Sequence, residues 1–238
     1  MPTNNLLFKR QYPINDSIKI VIPTVGEILD NEDAYYGLVF SITAMPIDLM
    51  VQLDDMGIDF STINEYELFL LMFQSLKLLD TSLVFGDLDL SKFEIAISKQ
   101  NGNVILVDEQ SGIVIDRAIY DKIATALRQI HHLEKNKKKP ANKEAKEYLI
   151  KRARDKLRRA KSQHSSSQLE SLIIAMVNTE QYKYNFLETR DLTIYQFNES
   201  VRQVINKIDY DNRMHGVYAG TVDVSKLSQK EMTWLINK

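Results

Sequence analysis

Residues 93–116 read FEIAISKQNGNVILVDEQSGIVID, and this stretch departs most clearly from helical periodicity. Three short runs rich in β-branched residues, FEIAISK, NVILVD and GIVID, are separated by two turn signals. Asn101-Gly102 is a strong signal for a tight hairpin, and EQSG is a second polar connection. The stretch predicts a three-stranded antiparallel meander in a chain whose other segments favour helices.

Predicted helix starts lie on both sides of this meander. The capping-box pattern, Ser or Thr followed three residues later by Glu or Gln, occurs five times before or within apolar residues at helical spacing. In this motif the hydroxyl accepts from a first-turn N–H, and the acid or amide oxygen accepts from the N-cap N–H. The five boxes are Thr24–Glu27, Thr62–Glu65, Ser167–Glu170, Thr193–Gln196 and Ser228–Glu231.

The remaining segments complete the predicted architecture. Alternating isoleucines before Pro23 predict a short strand, and helical spacing resumes at Arg117 after the meander. Eight glycines and five prolines are few for 238 residues, which favours helices over turn-rich sheets. The expected fold is mainly α with a small antiparallel β meander (α+β), made of two helical parts joined by a basic linker and helix.

A charged linker divides the chain. Residues 135–142, KNKKKPAN, combine mutually repelling lysines with a proline that lacks an amide donor, and Asn142 is suited to cap the next helix. We therefore expect an acidic helical domain at 1–134, a basic linker and helix at 135–163, and a C-terminal helical domain at 164–238.

The charge of the chain is segregated by segment. The formal net charge is −2, but residues 135–161 hold 13 Lys or Arg against 3 Asp or Glu, a net charge of +10. The rest of the chain therefore carries −12, and residues 27–94 have 14 acids with only two lysines. The sequence predicts one basic segment facing an acidic body.

Helix 143–161 has three interpretations. Its apolar stripe, broadened by Tyr148, either packs the helix on the acidic body of the same chain or docks it on a partner. Nucleic-acid binding ranks third, because base-stacking aromatics are scarce and Tyr148 is expected on the apolar side. The candidate contact residues, for a partner or a nucleic acid, are Lys137, Lys138, Lys139, Lys151, Arg152, Arg154, Arg158 and Arg159.

The residues argue against an enzyme. The chain has no cysteine, and its adjacent His131 and His132 point to different faces of a helix and are expected at a surface or interface. The segment DLDLSKFE at 87–94 resembles a calcium loop but lacks the required glycine and final glutamate. No catalytic, cofactor or metal site is predicted.

The segment after Thr193 predicts a one-sided apolar helix. Its apolar face comprises Ile194, Phe197, Val201, Val204, Ile205 and Ile208. The candidate interface anchors are Tyr148, Tyr195 and Trp234, because amphipathic aromatics are enriched at protein interfaces. For Tyr195 and Trp234, packing in the core of the chain is the alternative and is favoured.

Both ends of the chain resemble a group of bacteriophage proteins. The C-terminal stretches LESLIIAMVNTEQYKYNFLETRDLTIYQFNESVRQV and YDNRMHGVYAGTVDVSKLSQKEMTWL carry the resemblance, as do IVIPTVGEILDNEDAYYGLVFSITAMPIDLMVQLDDMGID and INEYELFLLMF near the N-terminus. The sequence is similar to tail-module proteins of phages of Gram-positive bacteria, described as tail assembly chaperones or tail structural proteins. The β meander and the long basic arm depart from the smaller chaperones.

This resemblance implies a non-enzymatic role in phage morphogenesis through protein–protein binding. Phage tail proteins of the tape-measure or tail-tube type are the implied partners, and the implied location is the host cytoplasm during assembly or the virion. No membrane partner is expected, because no apolar run approaches the length needed to cross a bilayer. The alternative is a nucleic-acid-binding accessory protein that uses residues 135–161.

Overall fold

The structure is a computed structural model that describes residues 5–160 and 167–235. Within these ranges it contains ten α-helices, one two-stranded sheet and one three-stranded sheet, which confirms the expected mainly α, α+β class. No helix in the described ranges is both long enough and apolar enough to cross a membrane.

The elements follow one another closely along the chain. The strands are β1 Gln11–Pro13, β2 Lys19–Val21, β3 Glu94–Ile97, β4 Val104–Asp108 and β5 Ile113–Ile115. The helices are α1 Val25–Leu29, α2 Glu32–Thr43, α3 Met50–Asp55, α4 Glu65–Leu76, α5 Ser82–Phe85, α6 Arg117–His131, α7 Lys143–Ala160, α8 Gln168–Val177, α9 Phe186–Asp191 and α10 Ile194–Tyr218. Short 3₁₀ helices lie at Pro46–Leu49, Leu90–Lys92 and Val224–Lys226.

The first sheet contains the predicted strand β2 and one strand that the sequence did not indicate. β1 pairs antiparallel with β2, with Tyr12 opposite Ile20. The alternating isoleucines of this region, Ile18, Ile20 and Ile22, are all fully buried. β1 was missed because QYP has no apolar alternation and includes Pro13, a residue that sheets tolerate mainly at their edges.

The meander forms as predicted, in the order β3-β4-β5 with both pairs antiparallel. Its first connection is a four-residue loop, because Ser98 N–H donates to Asn103 O at 2.8 Å and closes the ladder there. Gly102 lies in this loop with φ +71°, a conformation that glycine adopts without strain.

Helices α2, α4 and α6 pack around the sheets. Tyr35 of α2, Phe73 of α4 and Leu127 of α6 are almost fully buried in one principal hydrophobic cluster. The buried Tyr120 hydroxyl satisfies its donor by a 3.0 Å hydrogen bond to Ile42 O, which ties α6 to α2.

Two segments that are far apart in the sequence meet at the starts of α1 and α10. Thr24 and Thr193, the N-cap residues of these helices, form an isolated antiparallel bridge, and each makes its predicted capping box. Two main-chain hydrogen bonds of 2.8 Å flank the bridge, one from Val25 N–H to Leu192 O and one from Ile194 N–H to the carbonyl of the proline before Thr24.

The principal hydrophobic cluster extends across the predicted linker. It contains residues from Leu6 to Val204, including Phe197, while a second and smaller cluster surrounds Phe60 beside α3. The division at 1–134, 135–163 and 164–238 stays a prediction.

The capping box predicted at Thr62–Glu65 is wrong by two residues. Helix α4 begins after Asn64, whose side chain accepts from Glu67 N–H at 3.1 Å while Asn64 N–H donates to the Glu67 carboxylate at 2.8 Å. The Thr62 hydroxyl instead donates to Asp59 O. Asn ranks with Ser and Thr as an N-cap residue, and it lies directly before the first helical residue.

The box at Ser228–Glu231 forms its reciprocal contact without starting a helix. Ser228 N–H donates to the Glu231 carboxylate at 2.8 Å, yet the described residues from 231 to 235 are not helical. A short helix without a buried face is marginal in water, so the capping motif alone does not form one.

Candidate interaction surfaces

The basic helix α7 lies against α3 and the segment that follows it. Lys146 Nζ is 2.7 Å from Asp59 Oδ2, and Arg154 Nη2 is 2.9 Å from Asp54 Oδ2 and 2.7 Å from Asp55 Oδ1. The hydrogen bond from Lys146, with those from Ser61, lowers the pKa of Asp59 to about 2. Part of the basic segment therefore pairs with acidic residues of the same chain.

Helix α7 contributes little to the hydrophobic core. Ile150 packs against the second cluster, but none of its residues from 143 to 159 is buried. Leu157, expected in the apolar stripe, is 41% exposed. Asn142 caps the helix as predicted, with its side-chain oxygen accepting from Ala145 N–H at 2.8 Å.

The candidate cations separate into two groups. Arg154 is half-buried and engaged by two carboxylates, so it serves the contact with α3. The other seven are exposed: Lys137, Lys138, Lys139, Lys151, Arg152, Arg158 and Arg159. Arg158 approaches Asp155 at 4.0 Å, a pair of the exposed type that contributes little stability.

Tyr148 is on the outward face of α7. Its side chain is 64% exposed, and Lys151 and Arg152 follow it by three and four residues, on the same side of the helix. The expectation that Tyr148 lies on the apolar side is wrong. Lys146 and Arg154 pair with carboxylates of α3 and the segment after it from the side of α7 opposite Tyr148. The Tyr148 ring therefore lies on the outer side, beside Lys151 and Arg152.

Glu65 binds a buried arginine of α6, which the sequence did not reveal, and also the first residue of the linker. Arg128 of α6 is 7% exposed, and its Nη2 donates to Thr43 O at 2.6 Å and to Glu65 Oε2 at 2.7 Å. Lys135 reaches the other oxygen of Glu65 at 2.8 Å. Burial raises the pKa of Glu65, but the hydrogen bonds and charges of Lys135 and Arg128 outweigh it and lower the pKa overall.

His131 is half-buried where α6 packs against α2. Its Nε2 lies 2.8 Å from the Tyr35 hydroxyl of α2, and burial, with a smaller effect of His132, lowers its pKa to about 4. The neutral imidazole joins α6 to α2. Within the described residues, no group of three or more His, Asp or Glu is arranged to hold a metal ion.

A cleft of about 960 Å³ lies between the β3–β4 hairpin and helices α4 and α6. Tyr66 lines it, and its hydroxyl donates to Val104 O at 3.0 Å and Ile115 O at 3.2 Å. Burial raises the pKa of Tyr66 to about 12, so the phenol keeps its proton at neutral pH. Its role in this geometry is to hold the hairpin.

Residues 205–235, here named the C-terminal arm, form a long segment with exposed apolar side chains. None of these residues is buried. Ile205, expected on the apolar face of α10, is 51% exposed, whereas Ile208 of the same predicted face packs against the principal cluster. The exposed large apolar side chains are Ile205, Tyr218, Val224, Met232, Trp234 and Leu235.

Residues 219–235 of the arm fold back on α10, whose side chains donate to their main-chain carbonyls. Gln203 Nε2 donates to Trp234 O at 2.8 Å, Asn206 donates to the same oxygen, and Arg213 Nη1 donates to Glu231 O at 3.0 Å. These contacts fix the path of the backbone and leave the apolar side chains outward.

The three predicted interface anchors lie in different environments. Tyr195 is 3% exposed and packs in the principal core, as the alternative interpretation held. Trp234, at 41% exposure, and Tyr148 remain accessible on the arm and on α7. The sequence could not separate these positions, because Tyr195 and Trp234 both lie in amphipathic surroundings.

A family model described as the YomV second domain matches residues 160–237 of this chain, about a third of its length. The matched segment contains α8, α9, α10 and the C-terminal arm. No curated protein and no solved structure gives a significant match.

Proposed function

We propose that this chain is a phage morphogenesis protein, a tail assembly chaperone or tail structural component, that acts by binding other proteins through its C-terminal arm. The observation that carries the proposal is the arm itself, a segment of 31 residues with six large apolar side chains exposed and none buried. Groups of exposed large apolar side chains are a feature of interaction sites.

Two further observations support the phage role. The YomV second domain belongs to a phage-associated family, and its match contains the whole described arm. The resemblance to phage tail-module proteins extends to the N-terminal stretch that forms β2 and α1 to α4. The proposed partner is a tape-measure or tail-tube protein, met in the host cytoplasm during assembly or in the virion.

The test is reconstitution with purified tape-measure and tail-tube proteins. A Trp234→Ala, Leu235→Ala double variant should weaken binding by about thirtyfold or more, as loss of a central aromatic anchor does. The contacts to Trp234 O involve the main chain, so the path of the arm should persist in this variant.

Leu78→Ala is the matched control, because Leu78 is also a highly exposed leucine but lies just after α4, outside the arm. Equal binding by the control and the double variant would remove the arm from the mechanism. The absence of binding to any tail component would refute the phage role.

One observation favours nucleic-acid binding as the second candidate function. Tyr148 is exposed beside Lys151 and Arg152, an arrangement of aromatic and cationic groups that can stack on bases and pair with phosphates. Changing Lys137, Lys138, Lys139, Arg152, Arg158 and Arg159 to Gln, with Arg154 left to hold α3, should abolish salt-sensitive retention on single-stranded DNA. Equal retention of the unaltered chain and the variant would exclude this function.

A further inference from the structure

The outer edge of β3 offers main-chain hydrogen-bonding groups to a further strand. β3 is the first strand of the meander and pairs with β4 on one side only among the described residues. Unpaired sheet edges are templates for strand addition, and proteins usually protect them with charges, proline or bulges. Residues 95–97 of β3 read Ile-Ala-Ile and contain none of these.

The ladder identifies which residues of β3 face outward. Ser98 N–H donates to Asn103 O where the hairpin closes, which marks Ser98 as a residue whose main chain faces β4. Hydrogen-bonded and non-hydrogen-bonded pairs alternate in an antiparallel ladder, so Ala96 and Glu94 bond to β4. The N–H and C=O groups of Ile95 and Ile97 therefore point away from the sheet.

The side chains of these two residues are also exposed to solvent in part. Ile95 is 42% exposed and Ile97 is 71% exposed. They share one face of the sheet with Val104, which is 39% exposed, and with the buried Leu106, because Ile97 is opposite Val104 and Ile95 is opposite Leu106. Outward-pointing hydrogen-bonding groups and partly exposed apolar side chains thus coincide at the same two positions.

We propose that this edge pairs antiparallel with the same edge of a second copy of the chain, in a register centred on Ala96. Ile95 of one copy then lies opposite Ile97 of the other, and both are outward-facing residues. The two symmetry-related pairs exchange four N–H···O hydrogen bonds. The isoleucines of both copies meet on one face, and the two three-stranded sheets become one sheet of six strands.

This register is favoured because it places each isoleucine of the edge opposite an isoleucine of the second copy. The Ile-Ala-Ile segment is its own complement about Ala96, as an isologous twofold contact requires. Glu94 falls opposite Ser98 of the second copy, so the two Glu94 carboxylates are not opposed. A shift of two residues either way would place an isoleucine opposite the charged Lys99 or opposite Phe93, whose ring is fully buried in the core and cannot contact a second copy.

An engineered cysteine tests the register directly, because the chain has no cysteine of its own. In the proposed pairing the two Ala96 residues form a non-hydrogen-bonded pair, with Cα atoms about 4.5 Å apart. That separation lies within the range that a disulfide spans. An Ala96→Cys chain should form a covalent dimer under mild oxidation at least about tenfold faster than a control, since pairing raises the effective concentration of the thiols.

Val114→Cys on β5 is the matched control, because Val114 lies in the opposite edge strand of the same sheet. Adding Ile97→Lys to the Ala96→Cys chain should return its oxidation rate to the control value, while circular dichroism shows an unchanged fold. Equal rates for Ala96→Cys and Val114→Cys would overturn the proposal, as would an undiminished rate with Lys at position 97. The contact does not depend on the C-terminal arm, so arm variants should dimerise normally.

Discussion

Replacing Arg128 by methionine should destabilise the protein far more than the same replacement at Lys135, although both side chains bind the carboxylate of Glu65. Arg128 Nη2 is 2.7 Å from Glu65 Oε2, and Lys135 Nζ is 2.8 Å from Glu65 Oε1. The two contacts differ in burial, because the side chain of Arg128 is 7% exposed and that of Lys135 is 35% exposed. The comparison isolates the effect of burial on an ion pair.

The expected loss for Arg128→Met is about 3 kcal/mol of the free energy of unfolding. Removing one partner of a buried pair costs about 3–5 kcal/mol. The lower value applies because Glu65 keeps Lys135, and because methionine replaces the aliphatic part of the arginine and leaves little cavity. Thr43 O also loses its donor. For Lys135→Met the expected loss is at most about 1 kcal/mol, since that pair is largely screened by water.

Urea denaturation followed by circular dichroism measures both losses. A double variant, Arg128→Met with Glu65→Leu, should recover part of the loss, because it removes the charge that the single variant leaves unpaired. If Arg128→Met and Lys135→Met have equal stabilities within about 0.5 kcal/mol, burial does not govern this network. A double variant no more stable than Arg128→Met would refute the same reasoning.

Three further changes test other parts of the fold. Phe197→Ala should cost about 3–5 kcal/mol in the same denaturation assay, because its ring is fully buried in the principal core; a loss below about 1 kcal/mol would contradict that burial. Thr193→Ala should cost about 1 kcal/mol by removing the oxygen that caps α10, and Thr193→Ser should restore most of it. Lys146 holds the pKa of Asp59 at about 2, below the ordinary value of 3.8, so the ion pair stabilises the folded state above pH 3.8 and is lost as the pH falls toward 2. Lys146→Met should reduce the dependence of the free energy of unfolding on pH between 2 and 3.8, by at most about 1 kcal/mol because the pair is partly exposed. An unchanged dependence in denaturation curves would exclude the pair as its source.

Local patterns were sufficient to predict most of the elements. The meander was predictable because its three β-branched runs lie between turn signals, and α6 was predictable because its apolar residues recur at helical spacing. The boxes at Thr24 and Thr193 were correct for the same reason, since capping depends on residues only three positions apart.

The environments created by distant contacts were not predictable. Arg128 occupies a polar position in the pattern of α6, and only the carbonyl of Thr43 and the carboxylate of Glu65 explain its burial. Tyr148 was assigned to the apolar side because the stripe was assumed to be the buried one. The side of α7 that packs against α3 and the second cluster instead carries Lys146, Ile150 and Arg154.

The bridge between Thr24 and Thr193 has a consequence for synthesis on the ribosome. Thr24 is translated more than 160 residues before its bridge partner Thr193, so the bridge cannot form until late in synthesis. The buried isoleucines before Pro23 can pack on one another early, but α1 gains its neighbour α9 and the start of α10 only when most of the polypeptide has emerged. Closure of so long a loop is slow compared with local helix formation. A nascent chain arrested before residue 193 should therefore remain more sensitive to protease than the released protein.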